Sequence, residues 1–313
     1  MRRAPALAAT ILLLAPAGAA PVGPPRDFRL GQAVQGRQPT QVLAYLDVRD
    51  GDAKPVDGVD PGSVSATLGD QSLQVDRVVP FSDAGEGVGF IFCVDISRSL
   101  SAADFAAVRN ALGRWIDEMR PLDRASVLAF GEASRLVLDF SADKAALRAA
   151  LEALGPTDMK TVLYRGLLDA LELSSRRDPE LPARRVVVVL SDGKDEGSAL
   201  AADDVLVALR EHGLPLYAIG FGGSRRRESL DLLLRFATNS GGDFVAVGGG
   251  DFDRAYGAMR EAIDRIWVAE LTCPACEADG AARRLQVNLR LSDRVLSKGI
   301  DLRLLPPLAS GVP

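Results

Sequence analysis

The chain contains a single histidine, His212. A histidine-based catalytic triad would have to be assembled around that one imidazole. His212 sits in the last turn of a helical pattern that ends at Gly213, a place where histidine serves the negative end of the helix dipole. A His-based triad is therefore almost excluded, since its partners would have to converge on that helix end. Basic runs are equally scarce: Lys and Arg total 37 against 42 Asp and Glu, a formal charge of −5. An acidic chain without a basic block is a poor partner for nucleic acid. Beyond the first residues no segment approaches the roughly 20 apolar positions that span a bilayer, and no internal repeat or low-complexity tract is present.

Cysteine is also rare, with three in 313 residues. Cys93 lies inside an apolar run and reads as a small buried hydrophobe. Cys273 and Cys276 form "CPAC". A redox motif of this kind belongs at a helix N-terminus, where the dipole lowers the thiol pKa. Here it follows the strand-like "WVAELT" and precedes the turn-like "EADG", a context that favours a local structural disulfide over redox catalysis. Zinc would need about two further good ligands, and the neighbourhood supplies none.

The N-terminal "MRRAPALAATILLLAPAGAA" has Arg2 and Arg3, a short apolar run and small residues up to Ala19. That is the pattern of a secretory signal, cleaved after Ala19. With Arg2 and Arg3 removed, the formal charge moves from −5 to −7. The expected location is outside the cytoplasm. A signal this short, on a chain rich in Ala, Arg and Gly, points to a bacterial periplasm.

Residues 87–266 alternate strand and helix patterns with short connections. "VGFIFCVD" reads as a strand buried on both faces. The helix after it, from Ser101 as N-cap, places Phe105, Val108, Leu112, Trp115 and Ile116 at helical spacing. "RASVLAFG" and "RLVLDF" read as a hairpin at a sheet edge, and the helix "DKAALRAALEALG" as closing on Gly155. Continued alternation to residue 266 implies a doubly wound, mainly parallel α/β sheet with helices on both faces. The flanks differ. "QVLAYLDVRD", "SVSATL" and "SLQVDRVV" before it, and "RRLQVNLRLS" and "GIDLRLL" after it, read as half-buried antiparallel strands. Neither flank has enough strands to stand alone. The expected organisation is a signal (1–19), a small antiparallel β-sandwich built from 27–86 with 267–306, an inserted α/β domain (87–266) and a tail (307–313). Two separate flanking modules are the alternative.

Oxygen side chains crowd the carboxyl ends of these core strands, where ligands bind in open α/β sheets. Asp95-Ile96-Ser97-Arg98-Ser99 follows the first strand, Thr161 lies in "GPTDMKT" ahead of a helix, and Asp192 ends "RVVVVLSDG". Two carboxylates and three hydroxyls form an oxygen-only set suited to a hard cation such as Mg²⁺, Mn²⁺ or Ca²⁺. Taken singly, Ser and Asp after a strand merely begin turns and cap helices; turn chemistry does not require Thr161 and Asp192 as well.

In these motifs residues 87–266 resemble the von Willebrand factor type A domain. "DISRS", Thr161 ahead of "VLY", and "SDGKDEGS" are similar in identity, order and spacing to that family's metal-ion-dependent adhesion site. The resemblance implies a divalent cation, Mg²⁺ first, at Asp95, Ser97, Ser99, Thr161 and Asp192. It also implies a protein partner that offers an exposed Asp or Glu to that ion. The flanking strands resemble, less specifically, those of secreted bacterial members. One departure is Asp158-Met159-Lys160, where the family often has small residues. Lys160 reads as a solvated lysine, the alternative being attraction of an acidic partner. Asp195, Glu196 and Ser198 are expected to shape the loop behind Asp192, and Arg225-Arg226-Arg227 to form a solvated face.

Two other functions compete with metal-dependent binding. One is a structural scaffold on the same fold that uses no metal-mediated ligand. The other is a Mg²⁺-dependent phosphatase, because Asp95 and "SDGKD" resemble the layout of haloacid-dehalogenase-type enzymes. Those enzymes need an acid two residues after the nucleophile, and here that position is Ser97. The expectation is a binding module, not an enzyme.

Overall fold

The computed structural model describes residues 23–52, 54–221, 227–247 and 252–307. The expected signal (1–19), the side chains of the Arg225-Arg226-Arg227 run and residues 308–313 lie outside the described residues. The N-terminal flank holds β1 (Asp27–Gln35), β2 (Gln41–Arg49), β3 (Val64–Leu68) and β4 (Gln71–Pro80). The first half of the α/β region holds β5 (Val88–Asp95), α1 (Ala102–Asp117), β6 (Arg124–Phe130), β7 (Ser134–Ser141), α2 (Lys144–Glu152) and α3 (Leu163–Ser174). Its second half holds β8 (Arg184–Ser191), α4 (Ala202–His212), β9 (Leu216–Phe221), α5 (Arg227–Asn239), β10 (Phe244–Val247) and α6 (Phe252–Asp264). The C-terminal flank adds β11 (Trp267–Thr272), β12 (Ala282–Arg290) and β13 (Val295–Arg303).

The α/β sheet runs β10-β9-β8-β5-β6-β7, parallel throughout except for the β6–β7 hairpin at one edge. Its central strand β5 is buried along its whole length because it serves two cores. Phe90, Phe92 and Val94 pack with residues of α1, α2 and α6, while Ile91 and Cys93 pack with α3, α4 and α5. A period of two thus turns an unbroken apolar run into two opposed faces. The rings of Phe90 and Phe92 both meet Trp115 edge-on, at 5.6 and 5.7 Å. Ser101 caps α1, its hydroxyl accepting from the Asp104 amide at 3.1 Å. The C-terminal end of α2 departs from expectation: it finishes at Glu152 with Ala153 as its cap, before Gly155. The chain turns there without needing a left-handed residue.

The flanks pair with each other. The order β1-β2-β11-β4-β3-β12-β13 is antiparallel at every step. Strand β11 lies between β2 and β4 and β12 beside β3, so neither flank can complete this sheet alone. The run passes through β4, which pairs with β11 on one side and β3 on the other, and its two ends come together, so both flanks form one antiparallel β unit. Gln35 at the end of β1 donates to the Leu305 carbonyl at 2.9 Å and accepts its amide at 3.0 Å. One apolar core serves all seven strands. Cys273 and Cys276 are disulfide-bonded in the bend after β11, buried against that core, so the pair is structural. Cys93 is a free, buried thiol, and burial pushes its pKa up.

The two sheets meet around Arg184, the first residue of β8, which is 1% exposed. Its guanidinium lies over Phe81 and Tyr45, 4.5 and 5.4 Å from the ring centroids, and donates to the Ile263 carbonyl at the end of α6 at 2.8 Å. Burial lowers its pKa, and the ring faces supply the favourable electrostatics that water would otherwise give. Among the described residues no helix is long and apolar enough to cross a membrane.

Candidate functional site

Strand order reverses between β5 and β8, with β6 and β7 on one side and β9 and β10 on the other. The crevice outside the carboxyl ends at such a switch point is where open α/β sheets bind ligands. Asp95 ends β5, and Asp192 follows directly on Ser191, the last residue of β8.

Three loops converge there. The loop after β5 pairs with the loop before α3: the Thr157 and Asp158 amides donate to the Ile96 carbonyl, and the Arg98 amide to that of Asp158. Ser97 and Asp158 form a parallel bridge. The loop before α3 is tied to the loop after β8 by the Glu196 amide, 2.8 Å from the Thr161 carbonyl. Val162 donates to Gly131 after β6. Hence Asp95, Ser97, Thr161 and Asp192 are brought to one end of the sheet, all nearly or fully buried. Ser99 is exposed, and its hydroxyl lies 2.7 Å from that of Ser97. Ser99 is the member of the set that faces solvent.

The acids are held in place. Asp95 accepts from the Ser97 amide at 2.9 Å and from the Ser191 hydroxyl at 2.7 Å. Asp192 accepts from the Lys194 amide at 3.0 Å. Ser191 also accepts from the Gly193 amide at 3.0 Å, so one hydroxyl joins the turn after β8 to the end of β5. Gly193 has φ +79°, and a Cβ there would fall 2.3 Å from the Ser229 carbonyl oxygen; the turn admits only glycine.

Asp195 and Ser198 shape the loop behind Asp192, as expected. Asp195 takes the Ser198 hydroxyl and amide at 2.6 and 3.1 Å. It also accepts the Tyr164 amide at 3.0 Å, supplying a cap that α3 lacks from Val162. Glu196 contributes through its amide. Asp158 binds the Glu132 amide at 2.9 Å and the Thr157 hydroxyl at 2.7 Å, directly over Gly131. A Cβ on Gly131 would come within 2.2 Å of that carboxylate. Lys160 is exposed, and His212 hydrogen-bonds back to Ala208 at the end of α4. Ser191, Asp158 and Gly131 had no assigned role in the sequence. Ser191 carried no local signal, because its link to Asp95 depends on the parallel pairing of β5 with β8.

The donor set contains two carboxylates and hydroxyl oxygens, with neither imidazole nor thiolate. The oxygen set fits a hard divalent ion, with Asp95 and Asp192 matching its charge and the hydroxyls adding ligands without further charge. Ser97, two residues past Asp95, holds the place where a phosphatase needs an acid.

The von Willebrand factor type A domain model matches residues 90–252, and the chain belongs to that family. It is 26% identical over 183 residues to mouse matrilin-3, covering 53% of this chain and 36% of matrilin-3. To human integrin alpha-X it is 29% identical over 143 residues, 42% of this chain and 12% of the integrin. The chain thus spans well under half the length of these relatives. Among solved structures, the von Willebrand factor type A protein from Catenulispora acidiphila aligns with a TM-score of 0.51 at 13% identity. That alignment covers 91% of this chain and 75% of the other, so the likeness in fold takes in flanking strands too.

Proposed function

We propose that the protein is a secreted, periplasmic binding module that takes an acidic side chain of a partner protein at a divalent cation, Mg²⁺ in the first place. Asp95, Ser97, Ser99, Thr161 and Asp192 would hold the ion. A bound ion with an open position supplies a Lewis-acidic acceptor for a carboxylate. The chain's own part is to fix the oxygens, exclude water from Asp95 and Asp192, and leave Ser99 facing solvent. The observation that carries this reading is the convergence of three loops, two buried carboxylates and buried hydroxyls at the switch point, with the exposed Ser99 beside them. The signal-like N-terminus supports the location, and the missing acid at position 97 supports binding over catalysis.

Calorimetric titration of Mg²⁺ and Mn²⁺ tests the reading. Wild type is expected to bind at or below millimolar concentration. Asp95→Ala should abolish binding while circular dichroism stays native. Thr161→Ala, which removes a neutral ligand, should weaken ion binding less than it weakens partner binding. Absence of ion binding by wild type would leave the scaffold reading. That second reading has an observation of its own: Asp95 is already engaged by Ser97 and Ser191, a network able to brace the loops without an ion.

A further inference from the structure

Met159 is 66% exposed, more than any other large apolar side chain singled out among the described residues. It stands two residues before Thr161, on a segment held at several points. Its own amide donates to Glu132 at 3.2 Å. Asp158 beside it is bound through backbone to Ile96 and Arg98 and through its carboxylate to Glu132 and Thr157. A methionine on a loose tip would need no account. This one is presented by a braced loop, next to the loop that carries the exposed Ser99. The Arg98 guanidinium, from the loop that carries Ser97 and Ser99, lies 3.4 Å from its sulfur. Exposed Arg98 and Lys160 flank it, and the exposed Glu132 carboxylate accepts from its amide.

We infer that Met159 and Arg98 form a specificity platform beside the site. The partner segment then carries a large apolar side chain within two residues of its captured Asp or Glu. This rests on the metal-dependent reading above. Two residues of chain reach no more than about 7 Å, which bounds the backbone separation of Met159 and Thr161, so one short segment reaches both. An unbranched thioether adapts to differently shaped apolar side chains, and the Arg98 guanidinium at its sulfur places one cation beside the platform for an acidic segment. The class of partner is therefore an acidic–apolar peptide segment, as opposed to a purely acidic one.

The test is selection of a random peptide display library on the full chain in Mg²⁺, with elution by chelator. Wild type should enrich Asp or Glu with Leu, Phe, Tyr or Met one or two positions away. Met159→Ser should keep the acid and lose the apolar neighbour, and Met159→Leu should keep both. A synthetic peptide selected by wild type should bind Met159→Ser about fivefold more weakly, equivalent to about 1 kcal/mol of apolar burial, with Mg²⁺ affinity unchanged by titration. If Met159→Ser enriches the same apolar neighbours, the platform is wrong and metal-dependent capture stands. If wild type retains no acidic peptide in Mg²⁺ although it binds the ion, acidic capture fails and the platform with it.

Discussion

Ser191→Ala removes one hydroxyl and disturbs two buried partners. The Asp95 carboxylate loses a donor at 2.7 Å, and the Gly193 amide loses its acceptor at 3.0 Å. The turn cannot shift to compensate, because Gly193 is packed with its Cβ position against the Ser229 carbonyl. A hydrogen bond to a charged group contributes about 1.5–3 kcal/mol, and a buried donor left unmet costs about 1–3 kcal/mol. Both effects pass through one hydroxyl and add incompletely, so the expected destabilisation is about 2–4 kcal/mol. Against a total of about 5–15 kcal/mol the variant remains folded. Urea unfolding followed by tryptophan fluorescence in a Trp267→Phe background reads the α/β core, since Trp115 is fully buried there and Trp267, the second tryptophan, lies in β11. With a slope of about 2–3 kcal/mol/M, the midpoint should fall by about 1 M. The same change frees Asp95 to rotate, and loss of a residue that orients a ligand lowers ion affinity about 10–100-fold. A midpoint shift below about 0.2 M, near 0.5 kcal/mol on that slope, would show that Ser191 does not hold the junction of β5 and β8.

Other consequences follow from the same structure. Alkylation without reductant, after denaturation, should label Cys93 alone in secreted material; labelling of Cys273 or Cys276 would remove the bridge. Because the loop it closes is so short, reducing that bridge should lower stability by no more than about 2 kcal/mol on the chain-entropy estimate. Deleting residues 267–306 should leave β1–β4 sensitive to protease while the α/β core resists it, since β11 separates β2 from β4; a protected N-terminal flank would contradict the shared sheet. Gly131→Ala should displace the Asp158 carboxylate and destabilise by about 1–3 kcal/mol, the range for overpacking. An unchanged melting temperature would show that the loop before α3 is not braced there.

Local sequence determined a good deal of this protein. The all-apolar β5, the helical spacing of Phe105, Val108, Leu112, Trp115 and Ile116, and the N-cap at Ser101 each state their element, because strand and helix periods are written in consecutive residues. The oxygen side chains at Asp95, Ser97, Ser99, Thr161 and Asp192 were legible as a set for the same reason: ligand chemistry depends on residue type, and their places at strand ends follow from the strands. Association of the flanks was the expectation from their small number of strands, with two separate modules as the alternative. The threading of β11 between β2 and β4 was not, since pairing between strands some two hundred residues apart leaves no local mark. The burial of Arg184 under Phe81 and Tyr45 was equally hidden: an arginine opening a strand looks solvated until the second sheet covers it. Ser191 as the link to Asp95, Asp195 as the cap of α3, and Gly131 beneath Asp158 likewise depend on which loops the fold brings together. Residue chemistry is a property of the sequence, whereas its neighbours across a crevice are decided by the order of strands.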